Sequence, residues 1–405
     1  MVDSKTFWLI NQYASTPETG MGGRHYYLAK ELAKQGHKVY LIAAGYTHLL
    51  REPPALDKNY VIQKVSEGFD FVWIKMPHYS DAHDKKRVLN WFTFAWKLLK
   101  LPKVIPEKPD AILVSSPSLF SFLGAQRLAK KFKAKLAFEV RDIWPLTLVE
   151  LGGYSPKHPF IRLMQWVEDK AYRDSDVILS NLPNAVDHMV CRGMTRDKFI
   201  WIPNGFDLTE LQNAEPLPDK VLASLPKDKF IVGYTGTMGV ANALHSFVAA
   251  ADLLKYDHEI AFVIVGGGKE KLRLVEETKA LKNVHFLESI PKQQVQSMLF
   301  VFDACYIGWK DESIYRFGIA PNKLPEYMMS SKPIIHSYSG RYDYVDKANA
   351  GISIPAENPG KIKDAILKIK AMTPAQIKKI GDNGREYALK NHDYSVLASK
   401  LAEVL

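Results

Sequence analysis

The sequence predicts an α/β protein built twice over, two domains each holding a parallel sheet, and three observations predict it. Short apolar runs alternate with helical patterns along the whole chain. The runs are continuously apolar, as strands covered on both faces are. The order of elements in the first half recurs in the second, which reads as two Rossmann-like domains facing a cleft. At 405 residues the chain also exceeds a single core, which stops growing near about 250–300 residues.

In chain order the strand-like runs of the first half are TFWLINQ, KVYLIAA, FVWIKM, DAILVSS, AKLAFEV, DVILSNL and KFIWIPN. Those of the second half are FIVGYTG, AFVIVGG, VHFLESI, ACYIGW, PIIHSY and AGISIP. Between the seventh and eighth lies NAEPLPDKVLASLPKDK, residues 213–229, whose prolines and charges read as a linker. The domain boundary is therefore expected near residue 205, giving domains 1–205 and 206–385. In such sheets ligands gather at the carboxyl ends of strands, so the loops that follow strands are the places to look for chemistry.

Composition excludes several classes. Hydrophobic residues make up 47% of the chain and charged residues 24%, as in a globular protein. No apolar run approaches the roughly 20 residues of a spanning helix. The stretch MVDSKTFWLINQY has no basic segment followed by an apolar one, so no secretory leader is expected. Cys191 and Cys305 stand far apart with no C-x-x-C, which predicts buried thiols on the cytoplasmic side. Of the net charge of +10, residues 1–205 carry most, with 29 Lys and Arg against 20 Asp and Glu. That basic half suits anionic lipid or acidic substrates; no nucleic-acid partner is expected.

Three glycine loops stand between strands and helices. The first, ETGMGGRHYY (18–27), sits where a dinucleotide fingerprint would stand. It has His25 in place of the third glycine, and no acid ends the next strand, so NAD is not expected. Gly22 and Gly23 still precede a helix N-terminus, a place that favours an anion. The second loop, Gly236-Thr237-Met238-Gly239, repeats the construction in the second half, and AFVIVGGGKEKL adds a third with Lys269 and Lys271 behind it. Farther on, YRFGIAPNKLPEYMMSSKPIIHS places Lys323 and Glu326 at the start of a helix. The D-x-D pattern at Asp174-Ser175-Asp176 reads as punctuation between helix and strand, and no metal site is expected.

Taken in order, GMGGRHYY, RDIWP (141–145), IPNGFD (202–207), YTGTMG, VIVGGG and PNKLPEYMMSSKPII resemble family 4 of the retaining glycosyltransferases over essentially the whole chain. The likeness is strongest to bacterial members that build O-antigen and capsule polysaccharides. It implies the GT-B fold, with an acceptor domain rejoined by a C-terminal helix at about 386–405. It also implies a hexosyltransferase-type reaction with retention, a nucleotide-sugar donor taken as a UDP-sugar, and no metal. Carried over, Gly22 and Gly23 offer amides to the donor phosphate, and Gly236, Thr237 and Gly239 approach the diphosphate. Glu326 matches the glutamate that binds the ribose, and backbone groups around Glu288 and Ile290 meet the base. Asp142 and Arg141 fall beside the reacting sugar, Arg141 in the place of a histidine common in relatives. The family's first glutamate falls at Gly318, and its diphosphate-binding Arg and Lys face Thr237 and Asn242. Lys323 or Lys269 is the expected replacement.

Residues 84–105, DKKRVLNWFTFAWKLLKLPKVI, read as a helix whose polar residues Lys86, Asn90, Thr93, Lys97 and Lys100 form one narrow stripe. Its wide apolar surface, with Trp91 and Trp96 and flanking lysines, predicts peripheral attachment to anionic lipid at the inner face of the plasma membrane and a lipid-linked glycan acceptor. Two other functions fit the same fold, a nucleotide-sugar 2-epimerase and an inactive nucleotide-sugar-binding protein.

Overall fold

A computed structural model describes residues 4–80 and 84–405, so the first three residues of the N-terminal stretch lie outside it. The chain divides into two compact units. The first runs to Asn204 and regains Tyr394–Leu405, and the second is Gly205–Asp393.

In the first unit the strands are β1 (Thr6–Ile10), β2 (Lys38–Ala44), β3 (Tyr60–Ser66), β4 (Phe69–Ile74), β5 (Ala111–Ser115), β6 (Lys135–Val140), β7 (Val177–Ser180) and β8 (Phe199–Trp201). They form one sheet in the order β3-β4-β2-β1-β5-β6-β7-β8. All pairings are parallel except β3 with β4. The sequence reading has no counterpart to β3. Its outer residues are mostly exposed, so it lacks the apolar run that marks the others, and it returns through the turn at Gly68 to pair with β4. Alternating side chains send Phe7, Leu9, Leu41 and Leu113 into a core with the helices Arg24–Lys34 and Tyr394–Val404. The opposite face is covered by the helices Lys85–Leu98, Ser121–Phe132 and Pro159–Asp174. There Trp8 meets Phe132, Phe122 meets Phe138, and Phe138 meets Tyr172.

The second unit holds β9 (Phe230–Thr235), β10 (Ile260–Val265), β11 (Val284–Leu287), β12 (Ala304–Gly308), β13 (Ile334–Ser337) and β14 (Gly351–Ile354). Its order, β11-β10-β9-β12-β13-β14, reverses direction between β9 and β12. That is the doubly wound arrangement with its switch point between the first and fourth strands. The helix Pro374–His392 belongs to this unit, since a Cβ on Gly381 would lie 1.9 Å from the Ser331 carbonyl oxygen. The chain therefore returns to the first unit at Tyr394, later than the expected 386, because glycines let this helix pack closely.

Two side-chain expectations change. Cys191 is exposed, and only Cys305 is buried, where burial lifts its thiol to about 12. In the helix Lys85–Leu98, Trp91 is 4% exposed and donates its indole N–H to the Tyr13 hydroxyl at 2.7 Å, whereas Trp96 is 59% exposed. Five residues turn a helix through about 500°, so the two indoles stand roughly 140° apart and cannot share a face. Asn90 is buried too, donating to the Pro77 carbonyl, and Lys97 reaches the Lys75 carbonyl. The polar stripe thus lies partly against protein, and the outward apolar residues are Leu89, Phe92 and Trp96.

Candidate active site

In the first unit the switch point lies between β1 and β5. The glycine loop follows β1 and enters the helix Arg24–Lys34 through Gly22 at φ 65° and Gly23 at φ 88°. Both values are ones that side chains resist. Gly23 caps the helix with no side-chain bond, and the first turn carries no acid. The helix therefore has no acidic side chain of its own to offset the positive end of its dipole.

Directly behind the loop is a residue the sequence reading passed over. Glu139, near the end of β6, is fully buried. Its carboxylate accepts from Arg24 Nε at 2.7 Å, His25 Nε2 at 2.7 Å and Ser115 Oγ at 2.7 Å. The Asn11 side-chain oxygen accepts from the Tyr13 amide, so its Nδ2 donates to His25 Nδ1 at 3.0 Å. That fixes His25 as a neutral ring whose Nε2–H points at Glu139. Burial lowers His25 more than Glu139 raises it, with Arg141 and Arg24 adding to the lowering. Burial opposes ionisation of Glu139, yet the cations and hydrogen bonds around it hold its carboxyl well below the usual range. Arg24 also donates to the Pro203 carbonyl. One carboxylate thereby ties β5, β6 and the start of the glycine-loop helix together, and the Asn11 link to His25 brings in the end of β1.

Arg141 and Asp142 follow β6. The Arg141 amide donates to Ser116 Oγ at 3.0 Å, and the Asp142 carbonyl accepts from the Trp144 amide, which shapes the turn. Asp142 is exposed. Enough chain nevertheless surrounds its carboxyl for desolvation to raise it above the ordinary value, with Arg141 opposing.

The second unit builds its switch point from backbone. A Cβ on Gly266 would sit 2.2 Å from the Gly236 carbonyl oxygen, and one on Gly268 would sit 2.5 Å from the Met238 carbonyl oxygen. The loops after β9 and β10 therefore lie directly on each other, joined by Met238 N–H to the Gly267 carbonyl at 2.7 Å. Thr237 is held through its carbonyl, which accepts from the Tyr234 hydroxyl and from Asn242 Nδ2. Gly239 opens the single turn Val240–Asn242.

Lys323 lies over this loop. Its ammonium donates to the Asn242 side-chain oxygen at 3.0 Å and stands 5.2 Å from the Tyr234 ring centre, and its chain crosses Gly236. Burial lowers it to about 8. Lys269 is exposed, so of the two expected cations only Lys323 is built into the loop. Glu326, one turn along the same helix, pairs with Lys292. Lys292 opens the turn Lys292–Gln294, just past the Glu288–Ile290 segment, and was not anticipated. Glu288 itself points outward and pairs with Lys271 at 2.8 Å, and Ile290 is half-buried. Gly318 has φ 97° and ends the turn Ser313–Phe317. Asp174 and Asp176 are structural, bonding Gln126 and the Leu136 amide respectively.

Each unit is a doubly wound sheet with a glycine loop at its switch point, and this is the GT-B fold of the sugar-transferring enzymes that the chain resembles. Residues 19–210 match Glycosyltransferase Family 4 and residues 229–371 match Glycosyl transferases group 1. The chain belongs to the family 4 glycosyltransferases. It is 27% identical over 289 residues to a protein of Escherichia coli (strain K12) named as the colanic acid biosynthesis glycosyl transferase WcaI, covering 67% of this chain and 69% of that one. Among solved structures, sucrose-phosphate synthase from Thermosynechococcus elongatus superposes with a TM-score of 0.72 at 16% identity, over 99% of this chain and 98% of that one. HepE of Anabaena, in complex with UDP and glucose, gives 0.64 at 14% identity over 98% of each.

Proposed function

We propose that the chain is a retaining, metal-independent glycosyltransferase. In this reading it moves a sugar from a nucleotide-sugar donor, a UDP-sugar, to a lipid-linked glycan acceptor in bacterial surface polysaccharide assembly of the O-antigen or capsule type. The observation that carries the donor reading is Lys323, a half-buried lysine whose ammonium is desolvated as it folds over the glycine loop of the second unit. Cleaving an anomeric bond adds charge to the departing diphosphate, and a desolvated cation with loop amides stabilises such charge strongly. Glu326 then takes the ribose hydroxyls, exchanging its ion pair with Lys292 for them. Gly22 and Gly23 offer amides to the donor phosphate, and Asp142 and Arg141 stand beside the reacting sugar. The UDP in HepE and the polysaccharide pathway in the WcaI name support this choice of donor and product. Leu89, Phe92 and Trp96, outward on a helix that begins Lys85-Lys86, support peripheral contact with anionic lipid.

A nucleotide panel tests the donor. UDP at a hundred times its dissociation constant is expected to raise stability by about 2.7 kcal/mol, with GDP, dTDP and CMP giving less. Incubating each sugar nucleotide with a mixed lipid acceptor pool then separates the functions. Sugar on lipid with the anomeric configuration kept supports the proposal. An epimerised donor, or tight binding without turnover, replaces it by an epimerase or an inactive binder.

A further inference from the structure

The second unit holds a buried line of hydrogen bonds that the donor reading does not use. His336, the third residue of β13, is fully buried. Its Nε2 meets the Trp309 indole N–H at 3.2 Å, and an indole only donates, so Nε2 accepts. The ring proton therefore sits on Nδ1 and is donated to the Asp343 carboxylate at 2.9 Å. Asp343 is fixed in turn, because it caps the helix Tyr344–Ala348, accepting from the Val345 amide at 2.8 Å and the Asp346 amide at 3.1 Å. Burial opposes its ionisation, but the bonds from His336 and from the helix end hold its carboxyl below the ordinary value.

This line ends on the root of a loop. Trp309 is the first residue after β12, and its amide donates to the Ser337 carbonyl at 3.0 Å, so backbone and ring are both tied to β13. From there residues 309–322 run to the helix Lys323–Met329. The same aromatic group holds the loop farther along. Tyr338, stacked on His336 at 5.1 Å, donates its hydroxyl to the Tyr315 carbonyl at 3.0 Å, and the Tyr315 ring meets the Trp309 indole edge-on at 5.7 Å. Tyr344, which opens the helix that Asp343 caps, donates to the Ile319 carbonyl at 2.9 Å. The loop is thus held at 309, 315 and 319 by side chains drawn from residues 336–344.

Its place gives that hold a use. β12 neighbours β9 in the sheet, so the loop leaves the carboxyl end of β12 beside the glycine loop, and the Lys310 amide donates to the Ala241 carbonyl at 3.2 Å. At its far end the loop delivers Lys323 and Glu326. A sugar bonded to a diphosphate on the glycine loop has this segment as its neighbour. Gly318, at φ 97°, carries no side chain, so what the segment presents there is backbone, and its value to a ligand depends on how firmly that backbone is held.

We propose that His336 is a positioning residue for the donor: through Trp309 and Tyr338 it holds segment 309–319 as a preformed wall against the donor's sugar. The proposal rests on the transferase reading above, and the imidazole acts by orientation alone.

Two substitutions break the line at its last link. Trp309→Phe keeps a ring and deletes the indole N–H, whereas His336→Asn keeps a donor for Asp343 and no longer reaches Trp309. The ligand pair is UDP and the UDP-sugar that raises the parent's melting temperature most. Each variant is expected to weaken the UDP-sugar about tenfold, the effect of one hydrogen bond, while the UDP dissociation constant stays unchanged. The two combined should lose no more than either alone, since both remove the same bond. Equal losses for UDP and UDP-sugar, as a general loosening of the unit would give, additive losses, or an unchanged UDP-sugar affinity in Trp309→Phe would overturn the proposal. If His336→Asn does not fold, Trp309→Phe, at a half-buried ring, carries the test. Hydrogen exchange of the full chain reads the hold without any ligand: amides of 313–319 should exchange faster in the variants and those of β13 as in the parent. A parent protein that neither binds nor turns over a UDP-sugar sinks the transferase reading, and faster exchange at 313–319 would leave the hold of His336 on the loop standing without it.

Discussion

Both sheets reverse strand order at a point where a glycine loop leaves the first strand, yet the loops are supported by opposite materials. Behind Gly22 and Gly23 stands Glu139, a buried carboxylate meeting Arg24, His25 and Ser115. Behind Gly236 stand other glycines, and the charge above it is the cation Lys323. In the first unit charge is compensated internally and fixes geometry. In the second, the partners of the cation among the described residues are an amide oxygen and a ring face, neither of which carries a negative charge. A buried charge met by its counter-ions holds the scaffold together, whereas a cation lowered by desolvation alone is one that a bound anion would relieve.

The largest effect that could break this comparison is the removal of Glu139. Glu139→Ala leaves Arg24 buried without its counter-ion, and losing one partner of a buried pair costs about 3–5 kcal/mol. Urea melts followed by hydrogen exchange should place that loss in the first unit and leave the second unit's protection intact. The carboxyl's folded pKa is depressed, so its stabilisation is complete above the ordinary glutamate range and lost only as pH falls through the lower folded value. A variant as stable as the parent would mean the hub is dispensable.

Lys323 should respond in the opposite sense. Lys323→Met is expected to leave stability equal or raised and to weaken UDP binding by roughly 10- to 100-fold, the range of a hydrogen bond to a charged group at about 1.5–3 kcal/mol. Its pH signature follows from a folded value lowered to about 8. Between about 8 and the ordinary lysine value the unfolded chain holds a proton that the folded chain has lost, so stability of the free protein rises with pH there. Nucleotide affinity falls over the same interval as the ammonium disappears. Calorimetric titrations at a series of pH values, with and without the substitution, check both slopes; a parent protein with a flat profile would return Lys323 to the scaffold.

The strands were legible because buried parallel strands announce themselves as apolar runs, and the glycine loops because they interrupt those runs at one recurring place. The edge strand β3 was not, since Ile62, Gln63 and Lys64 are exposed and the pattern that marks it is the turn at Gly68. Glu139 was hidden for another reason. It lies inside the apolar run AKLAFEV, and its partners Arg24 and His25 are more than a hundred residues away, so no spacing rule connects them. A signal was nevertheless present, because a glutamate inside a buried strand demands a counter-charge. Lys323 could be named from its motif, but choosing it over Lys269 required burial, which a sequence does not carry. The tryptophans of the helix Lys85–Leu98 erred from being read by composition, when their spacing alone places them on different faces.

The smallest effect comes from setting the same substitution in both loops. A Cβ at Gly23 meets nothing within 4 Å, so Gly23→Ala costs only its backbone, which at φ 88° and ψ −177° lies in a region kept for glycine, about 1–3 kcal/mol. At Gly236 the new methyl would lie 2.2 Å from Lys323 Cε, so Gly236→Ala must also push the ammonium off the loop. The two variants are therefore expected to lose similar stability, but only Gly236→Ala should lose nucleotide affinity as Lys323→Met does. Sugar transfer should fall in both, through an altered phosphate-facing helix end at Gly23 and through a weakened donor at Gly236. Equal UDP dissociation constants for the two alanine variants, measured by calorimetry, would erase the distinction between a loop braced from within and one completed by its ligand.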